Sequence, residues 1–440
     1  MPHMTNLRLL PFFLLITLSA CAAPTPVAAT PTPTVRTPPP LATRTPKPTI
    51  TLTPSPTDRP APTSTPAPTR TPSIDQLAYR SVGYYPSWGI SAHAYSPYSI
   101  TANLLTHVIY AFGGIDLETL TCAAGDDYLD HQNLLDLGVV KESYPHLKVL
   151  IALGGGTAST GFSEAALTDE SRRAFVQSCL DLYLGAYPDV IDGVDIDWEF
   201  PGIGDTSRPE DTRNLTRLMQ EFRRQLDERG SYLLTMAMPT GASLFPFYEF
   251  KELAQVADWF NLMAYDFHGA WSQTTNFNAP LYRVTGDAYP LNNIDAATLA
   301  YLDAGVSPDQ LVLGVPFYGH GWANVPPTND GLYQRTTKLP HGTFGGSAYT
   351  YWDLAENYLD RNGYVRYWND EAKAPWLYNA ADRIFITYDD PASIGYKMAY
   401  VRAHHLGGAM IWNLSSDDGS LLRAVFEGLG SGDPSSGAGD

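Results

Sequence analysis

The chain has 440 residues, with 46 acidic against 28 basic side chains and a formal net charge of −18. That balance argues against nucleic acid as a partner, because phosphate binding wants a basic surface. The length exceeds one simple core, and no spacing of the three cysteines with other ligand types resembles a metal site.

Residues 1–21 read as an export signal. His3 and Arg8 give a weakly basic start, and "LLPFFLLITL" from Leu9 to Leu18 is the apolar core. A spanning helix needs about 20 apolar residues, so this run is too short. It ends in "LSAC", which resembles the lipobox of bacterial lipoproteins, in which the cysteine, here Cys21, is lipidated. An ordinary signal peptide with a chance cysteine is the alternative. Residues 22–73 hold 16 Pro and 15 Thr in 52 positions. Such a segment buries too little apolar surface to offset the entropy of folding. Frequent Pro makes it a semi-rigid disordered spacer, and Thr-Pro richness suits O-glycosylation. The expectation is a stalk, lipid-anchored to the membrane at the extracellular face of the cell envelope. It would carry a soluble domain of 22 basic and 43 acidic side chains over residues 74–430, with 431–440 as a disordered tail.

Within the domain, apolar runs recur: "RSVGYYPSW" (80–88), "LTHVIYAFGGI" (105–115), "LKVLIALGGG" (147–156) and "IDGVDIDWEF" (191–200). Then come "YLLTMAMP" (232–239), "ADWFNLMAYDFHGAW" (257–271), "QLVLGVPFYGHGW" (310–322) and "LGGAMIWNLSSDD" (406–418). Near-continuous apolar patterning suits parallel strands covered on both faces. Helical patterns lie between many of them. In the clearest, Leu215, Leu218, Phe222 and Leu226 fall at helical spacing before a Gly230 stop. Eight strand–helix repeats predict an α/β fold, a (β/α)8 TIM barrel, whose active site belongs at the C-terminal strand ends. The connection between strands 7 and 8 is too long for a loop, and its alternating aromatics predict a small α+β insertion at about 323–390. Cys122 and Cys179 are left beside Cys21. An exported pair can form a disulfide, but their separation in space is not given by the sequence.

The fourth run carries the chemistry. In a strand, residues two apart share a face, so Asp195, Asp197 and Glu199 stand side by side. Burying like charges costs several kcal/mol each unless they are protonated, paired or used. No second ligand cluster supports a metal among them.

"DGVDIDWEF" resembles the DxxDxDxE signature of glycoside hydrolase family 18, the chitinases, and "GYYPSW", "THVIYAF", "MAYD" and "GAMIWNLSSDD" resemble that family's other strand motifs in order. The resemblance covers roughly residues 78–429, and the insertion looks like the chitinase insertion domain of subfamily A. It implies an endo-acting hydrolase of β-1,4-linked N-acetylglucosamine polymers that uses the substrate's own acetamide as nucleophile and no cofactor. Its partners would be chitin or N-acetylglucosamine oligosaccharides, and the protein is expected as a monomer. By resemblance, Glu199 is the general acid/base and Asp197 orients and stabilises the N-acetyl group. Asp195 shares a proton or hydrogen bond with Asp197, and Asp192, on the other face, is a structural hydrogen-bonding residue. Tyr265 would bond the acetamido oxygen beside Met263 and Asp266. Trp412 would be the sugar floor, Tyr84 and Phe112 would line the pocket, and Trp271 would be a platform on the leaving-group side. Trp88, Trp352, Trp368 and Trp376 carry no such motif and read as packing residues.

Three positions depart from the family pattern. Ala152 replaces the Ser that would bond the inner Asp. Gly156 stands where a Trp platform is usual, which weakens a leaving-group subsite. His320 replaces an Arg, which puts a substrate contact in doubt. Two other functions keep many of the same residues. One is an endo-β-N-acetylglucosaminidase acting on glycoprotein glycans or peptidoglycan. The other is a non-catalytic carbohydrate-binding surface protein, although such relatives usually lose the catalytic Glu.

If Cys21 carries the anchor, Cys21→Ser moves the protein from the detergent phase to the aqueous phase in a phase-partitioning assay, and a 74–440 fragment is soluble and active. Unchanged membrane association in the Ser variant would remove the lipoprotein reading.

Overall fold

The computed structural model describes residues 73–74 and 77–431. The signal segment with Cys21, the Pro/Thr-rich linker and the tail beyond Ser431 lie outside the described residues.

The strands, in chain order, are β1 (Arg80–Pro86), β2 (His107–Ile115), β3 (Cys122–Ala123), β4 (Lys148–Gly154), β5 (Gly193–Asp197), β6 (Leu233–Met238) and β7 (Trp259–Leu262). They continue with β8 (Leu311–Pro316), β9 (Tyr318–Trp322), β10 (Ala348–Thr350), β11 (Tyr364–Asn369), β12 (Ala374–Asn379), β13 (Ile384–Thr387) and β14 (Gly408–Trp412). Eight of them form one parallel sheet in the order β1-β14-β8-β7-β6-β5-β4-β2, and pairing of β1 with β2 closes it. With helices between the strands, this is the (β/α)8 barrel expected from the repeats.

Strand alternation divides the side chains. Tyr85, Tyr110, Val149, Ile151, Val194 and Ile196 pack in the large cluster shared with the helices. Val82, Tyr84, Ile109, Leu150, Ala152 and Met410 pack in a second, smaller cluster inside the barrel. The lower end of this interior holds Trp259, with the His107 ring 4.8 Å from its ring and the Arg80 guanidinium 4.8 Å over its face. Burial and the Arg80 charge push the His107 pKa down to about 3, so the imidazole is neutral in this plug. Outside, the helix Asp211–Arg229 turns Leu215, Leu218, Phe222 and Leu226 to the sheet, all fully buried. It ends at Gly230, whose φ of 147° few other residues adopt.

The expected seventh strand over 310–322 is two strands. β8 stays in the barrel, whereas β9 leaves it and joins an antiparallel five-stranded sheet of order β10-β9-β13-β12-β11. The second sheet thus begins at Tyr318, ahead of the expected start of the insertion. Two ion pairs beside the helix that precedes β14, Pro391–Ala403, brace the junction. Arg366 of β11 pairs with the helix cap Asp390 at 2.6 Å, and Lys397 pairs with Asp389 at 2.6 Å with both side chains buried. Breaking a buried pair by removing one partner typically costs about 3–5 kcal/mol, because it strands the other charge.

Cys122 of β3 and Cys179 of the helix Asp169–Leu180 form a disulfide across a sequence separation of 57. It ties the hairpin that extends β2 to the helix before β5. A cross-link of this span stabilises chiefly by restricting the unfolded chain, typically by about 2–4 kcal/mol. Urea unfolding of a Cys122→Ser/Cys179→Ser variant is therefore expected to show a stability lower by about that amount, and the wild-type protein is expected to lose the same amount in reductant.

Candidate active site

Asp195, Asp197 and Glu199 follow one another along the C-terminal half of β5 and just past its end. Register sets Asp195 between Ala152 of β4 and Thr235 of β6. Ala152 offers no hydrogen bond, and three other strands supply the donors instead. The Tyr84 hydroxyl donates to Asp195 Oδ2 at 2.7 Å, Thr235 Oγ1 donates to Oδ1, and Asn261 Nδ2 donates to Oδ1 at 3.1 Å. Asn261 also reaches the Tyr84 oxygen at 3.3 Å and accepts from the Trp259 indole at 3.0 Å. Burial raises the Asp195 pKa, and these three donors pull it back toward the charged form.

Asp197 has the opposite surroundings. Its Oδ1 is buried without a hydrogen-bond partner. Burial first, then the neighbouring carboxyls of Glu199 and Asp195, push its pKa well above the ordinary value. Three donors favour charge on Asp195, whereas Asp197 Oδ1 has no partner, so burial favours the protonated form more strongly at Asp197 than at Asp195. Glu199 is pushed up to about 7, by burial and then by the Asp266 charge. An acid poised near the operating pH both gives and takes a proton effectively. Its backbone N–H donates to Ser159 Oγ at 2.8 Å, and that hydroxyl in turn donates to the Asp197 and Gly155 carbonyls, fixing the strand end.

Tyr84, Phe112, Asp197, Glu199, Met263, Tyr265, Asp266 and Trp412, all singled out from the sequence, line one cavity of about 200 Å³ together with Gly156, Ala237 and Met410. Trp412 lies against Tyr84 at 5.5 Å and Phe112 at 5.7 Å between ring centres. Burial and the nearby carboxyls hold the Tyr265 hydroxyl protonated, so it is available as a donor into the cavity. Asp266 takes a positive φ of 59°, held where its N–H donates to Asn278 Oδ1 at 2.8 Å. Its Oδ1 accepts from the Tyr318 hydroxyl at 2.6 Å and from His320 Nε2 at 2.8 Å. His320 therefore acts on the site through Asp266, and it does not line the cavity.

Other expected residues lie apart. Trp271 does not line the cavity. It stands 58% exposed beyond it, with its ring 5.4 Å from that of His320. Asp192 sits just before β5 and accepts from the Val149 N–H at 2.8 Å while pairing with Lys141 at 2.6 Å and Lys148 at 3.2 Å. Sequence reasoning missed Thr235 and Asn261, although each is a lone polar residue in an apolar strand. It also read Trp88 as packing. Trp88 is only partly buried, and its ring lies 6.4 Å from Trp412 and 6.3 Å from Phe112, at the margin of the cavity.

The geometry suits acid catalysis by Glu199 within the cavity that Trp412 also lines. Activity that needs protonated Glu199 falls as pH rises through about 7. Glu199→Gln, close in shape but unable to transfer a proton, is expected to lower turnover by about 10²–10⁴-fold. Stability moves the other way. A carboxyl whose pKa is raised on folding contributes stability below its unfolded value, and this is lost as pH rises through the folded value. Thermal unfolding above pH 7 should accordingly find Glu199→Gln more stable than wild type. An equal pH dependence in both proteins would show that Glu199 is not the perturbed group.

Comparison with known proteins gives the family. The profile of the glycosyl hydrolases family 18 matches residues 80–417. The chain is similar to "Chitinase A1" of Niallia circulans, 38% identical over 405 residues, covering 79% of this chain and 58% of that one. It therefore spans somewhat more than half of that relative's length. Among solved structures it is similar to "Chitinase ChiA74 from Bacillus thuringiensis", with a TM-score of 0.75 and 34% identity over 80% of this chain and 70% of that one. It is also similar to a glycoside hydrolase family 18 N-acetylglucosaminidase from Paenibacillus barengoltzii, with a TM-score of 0.70 and 35% identity over 80% of this chain and 99% of that one. The chain belongs to glycosyl hydrolase family 18.

Proposed function

We propose that the protein is an endo-acting chitinase that hydrolyses β-1,4-linked N-acetylglucosamine polymers with retention, using the substrate's acetamide as nucleophile. One observation carries this reading: a single cavity is lined by Glu199, Asp197, Tyr265 and Trp412 together.

In the first step Glu199 gives its proton to the glycosidic oxygen. The C1–O bond breaks as the acetamido carbonyl oxygen bonds to C1, and the sugar becomes a positively charged bicyclic oxazoline. Asp197 stabilises the acetamide through this change, passing its proton toward Asp195 as positive charge grows. Tyr265 holds the carbonyl oxygen by a hydrogen bond. In the second step Glu199, now a carboxylate, takes a proton from water as the water oxygen bonds to C1, the C1–O bond to the acetamide breaks, and the proton returns to Asp197. Two inversions at C1 give net retention. Tyr84, Phe112, Met263 and Asp266 shape the ring's surroundings, Trp271 is the platform on the leaving-group side, and Asp192 is structural.

Relatives named as chitinases support the substrate class. The relative named an N-acetylglucosaminidase supports a second reading, an endo-β-N-acetylglucosaminidase acting on glycoprotein glycans or peptidoglycan. The five-stranded sheet supports assignment of the insertion as a subfamily A chitinase insertion domain. We further propose that Cys21 lipid anchors the enzyme, as a monomer, at the outer face of the cell envelope.

Products from chitin oligomers, glycopeptides and peptidoglycan, compared side by side, separate the two readings. Chitin oligomers are expected to be cut internally, whereas cleavage of the glycopeptides or peptidoglycan in preference to chitin favours the second. Proton NMR of the first-formed anomer tests the mechanism. A β-anomer from a β-linked oligomer is expected, and chitosan lacking all acetyl groups is expected to remain intact. An initial α-anomer would sink the acetamide mechanism under either reading.

A further inference from the structure

Asp266 carries the charge that acts on Glu199, and it is held from the second sheet rather than from the barrel. Two donors of β9 converge on its Oδ1, the Tyr318 hydroxyl at 2.6 Å and His320 Nε2 at 2.8 Å. An ionised carboxylate only accepts, so the His320 nitrogen that faces it carries a hydrogen in either charge state of the ring. Of these two partners only His320 can become a cation, and among the described residues no lysine or arginine pairs with Asp266.

The other ring nitrogen bears on the charge state. His320 is 7% exposed, and its Nδ1 is buried with no hydrogen-bond partner among the described residues. Strand pairing sets Ala348 of β10 and Thr387 of β13 opposite His320, and neither titrates. The rings of Tyr318 and Trp271 pack against it edge to face, each with its centre 5.4 Å away. A neutral imidazole leaves an idle lone pair at Nδ1, whereas a cationic one would bury an unpartnered N–H there at the cost of desolvating a donor. Glu199 itself lies within electrostatic reach of Asp197 and Asp266 and of the protonated hydroxyls of Tyr248, Tyr265 and Tyr318, a set with no cation in it.

We propose that His320 is a positioning residue that acts as a neutral donor: it fixes the Asp266 carboxylate by a hydrogen bond and leaves the negative charge uncancelled, so that Glu199 keeps its proton up to neutral pH. The proposal rests on the glycosidase reading above, in which Glu199 is the acid. A guanidinium at residue 320 would make a similar hydrogen bond but is always charged. It would offset Asp266, lower the proton affinity of Glu199 and move activity toward acid. The imidazole holds the carboxylate without that consequence. A side chain of the second sheet thus sets the working pH of an acid that belongs to the barrel.

The test measures kcat/KM for tetra-N-acetylchitotetraose from about pH 5 to about pH 9 in wild type, His320→Gln and His320→Arg. Gln and Arg both offer an N–H to Asp266 and differ in charge. The alkaline limb of wild type and of the Gln variant is expected at about 7. That of the Arg variant is expected about one unit lower, which is about tenfold less protonated acid above the limb. Three coincident limbs would overturn the proposal, because charge at residue 320 would not reach Glu199. A Gln limb displaced along with the Arg limb would leave His320 a structural role only, and a wild-type limb at the Arg position would make the ring cationic; each overturns the neutral donor. Because Arg is larger than the buried ring it replaces, nitrogen NMR of the wild-type imidazole, assigned by its loss in His320→Gln, supplies a measurement that needs no Arg variant. A neutral ring with its hydrogen on Nε2 is expected at neutral pH, and a cationic ring there would overturn the proposal. A wild-type enzyme that leaves the tetrasaccharide intact would overturn the chitinase reading, and the NMR measurement would still decide the charge of His320.

Discussion

The organisation of the molecule follows from one electrostatic constraint: three carboxyls on one strand face, buried at the mouth of a barrel. Moving an ionised carboxylate out of water costs several kcal/mol unless partners replace its hydration. The protein meets this unevenly. It gives Asp195 three donors from three strands and gives Asp197 Oδ1 none. The asymmetry favours the charged form more at Asp195 than at Asp197, so two neighbours on one strand face differ in how readily each holds a proton.

A closed parallel barrel meets that demand well. Donors for Asp195 have to come from several directions inside a dry interior. The barrel supplies Tyr84 from β1, Thr235 from β6 and Asn261 from β7, each at an inward register position. The lower plug of Trp259, His107 and Arg80 keeps water out from beneath, and the Trp259 indole also orients Asn261. The second sheet contributes from the side. β9 leaves the barrel wall but returns Tyr318 and His320 to Asp266, whose charge raises Glu199. The acid's strength is therefore coupled to a contact between barrel and insertion, although neither Tyr318 nor His320 faces the cavity.

What could be read from the sequence divides along physical lines. Eight barrel strands were legible because strands buried on both faces leave near-continuous apolar runs. The carboxylate face was legible because acids at every second position of such a run cost burial energy that packing alone never returns. The split of 310–322 into β8 and β9 was hidden for the same reason that the run was found. Phe317 continues the apolar pattern through the bend, so patterning sees one strand where backbone direction makes two. The Cys122–Cys179 pairing depends on a three-dimensional approach that spacing does not encode. Thr235 and Asn261 were overlooked because a single polar residue in a strand has no pattern, and only register sets both beside Asp195. The roles of the motif tryptophans were only partly legible. Type and motif located Trp412 under the cavity, but not Trp271 outside it or Trp88 at its margin.

The two small residues at unusual positions show how differently an absence can act. Ala152 removes a hydroxyl from a closed interior, where an unmet acceptor is expensive, and other strands supply donors to the same carboxylate. Gly156 removes a ring from the open rim, where nothing compels replacement, and space remains. The buried absence leaves no functional trace because packing and hydrogen bonding are enforced there by desolvation. The exposed one changes what can bind, because solvent fills the gap at little cost until a ligand displaces it.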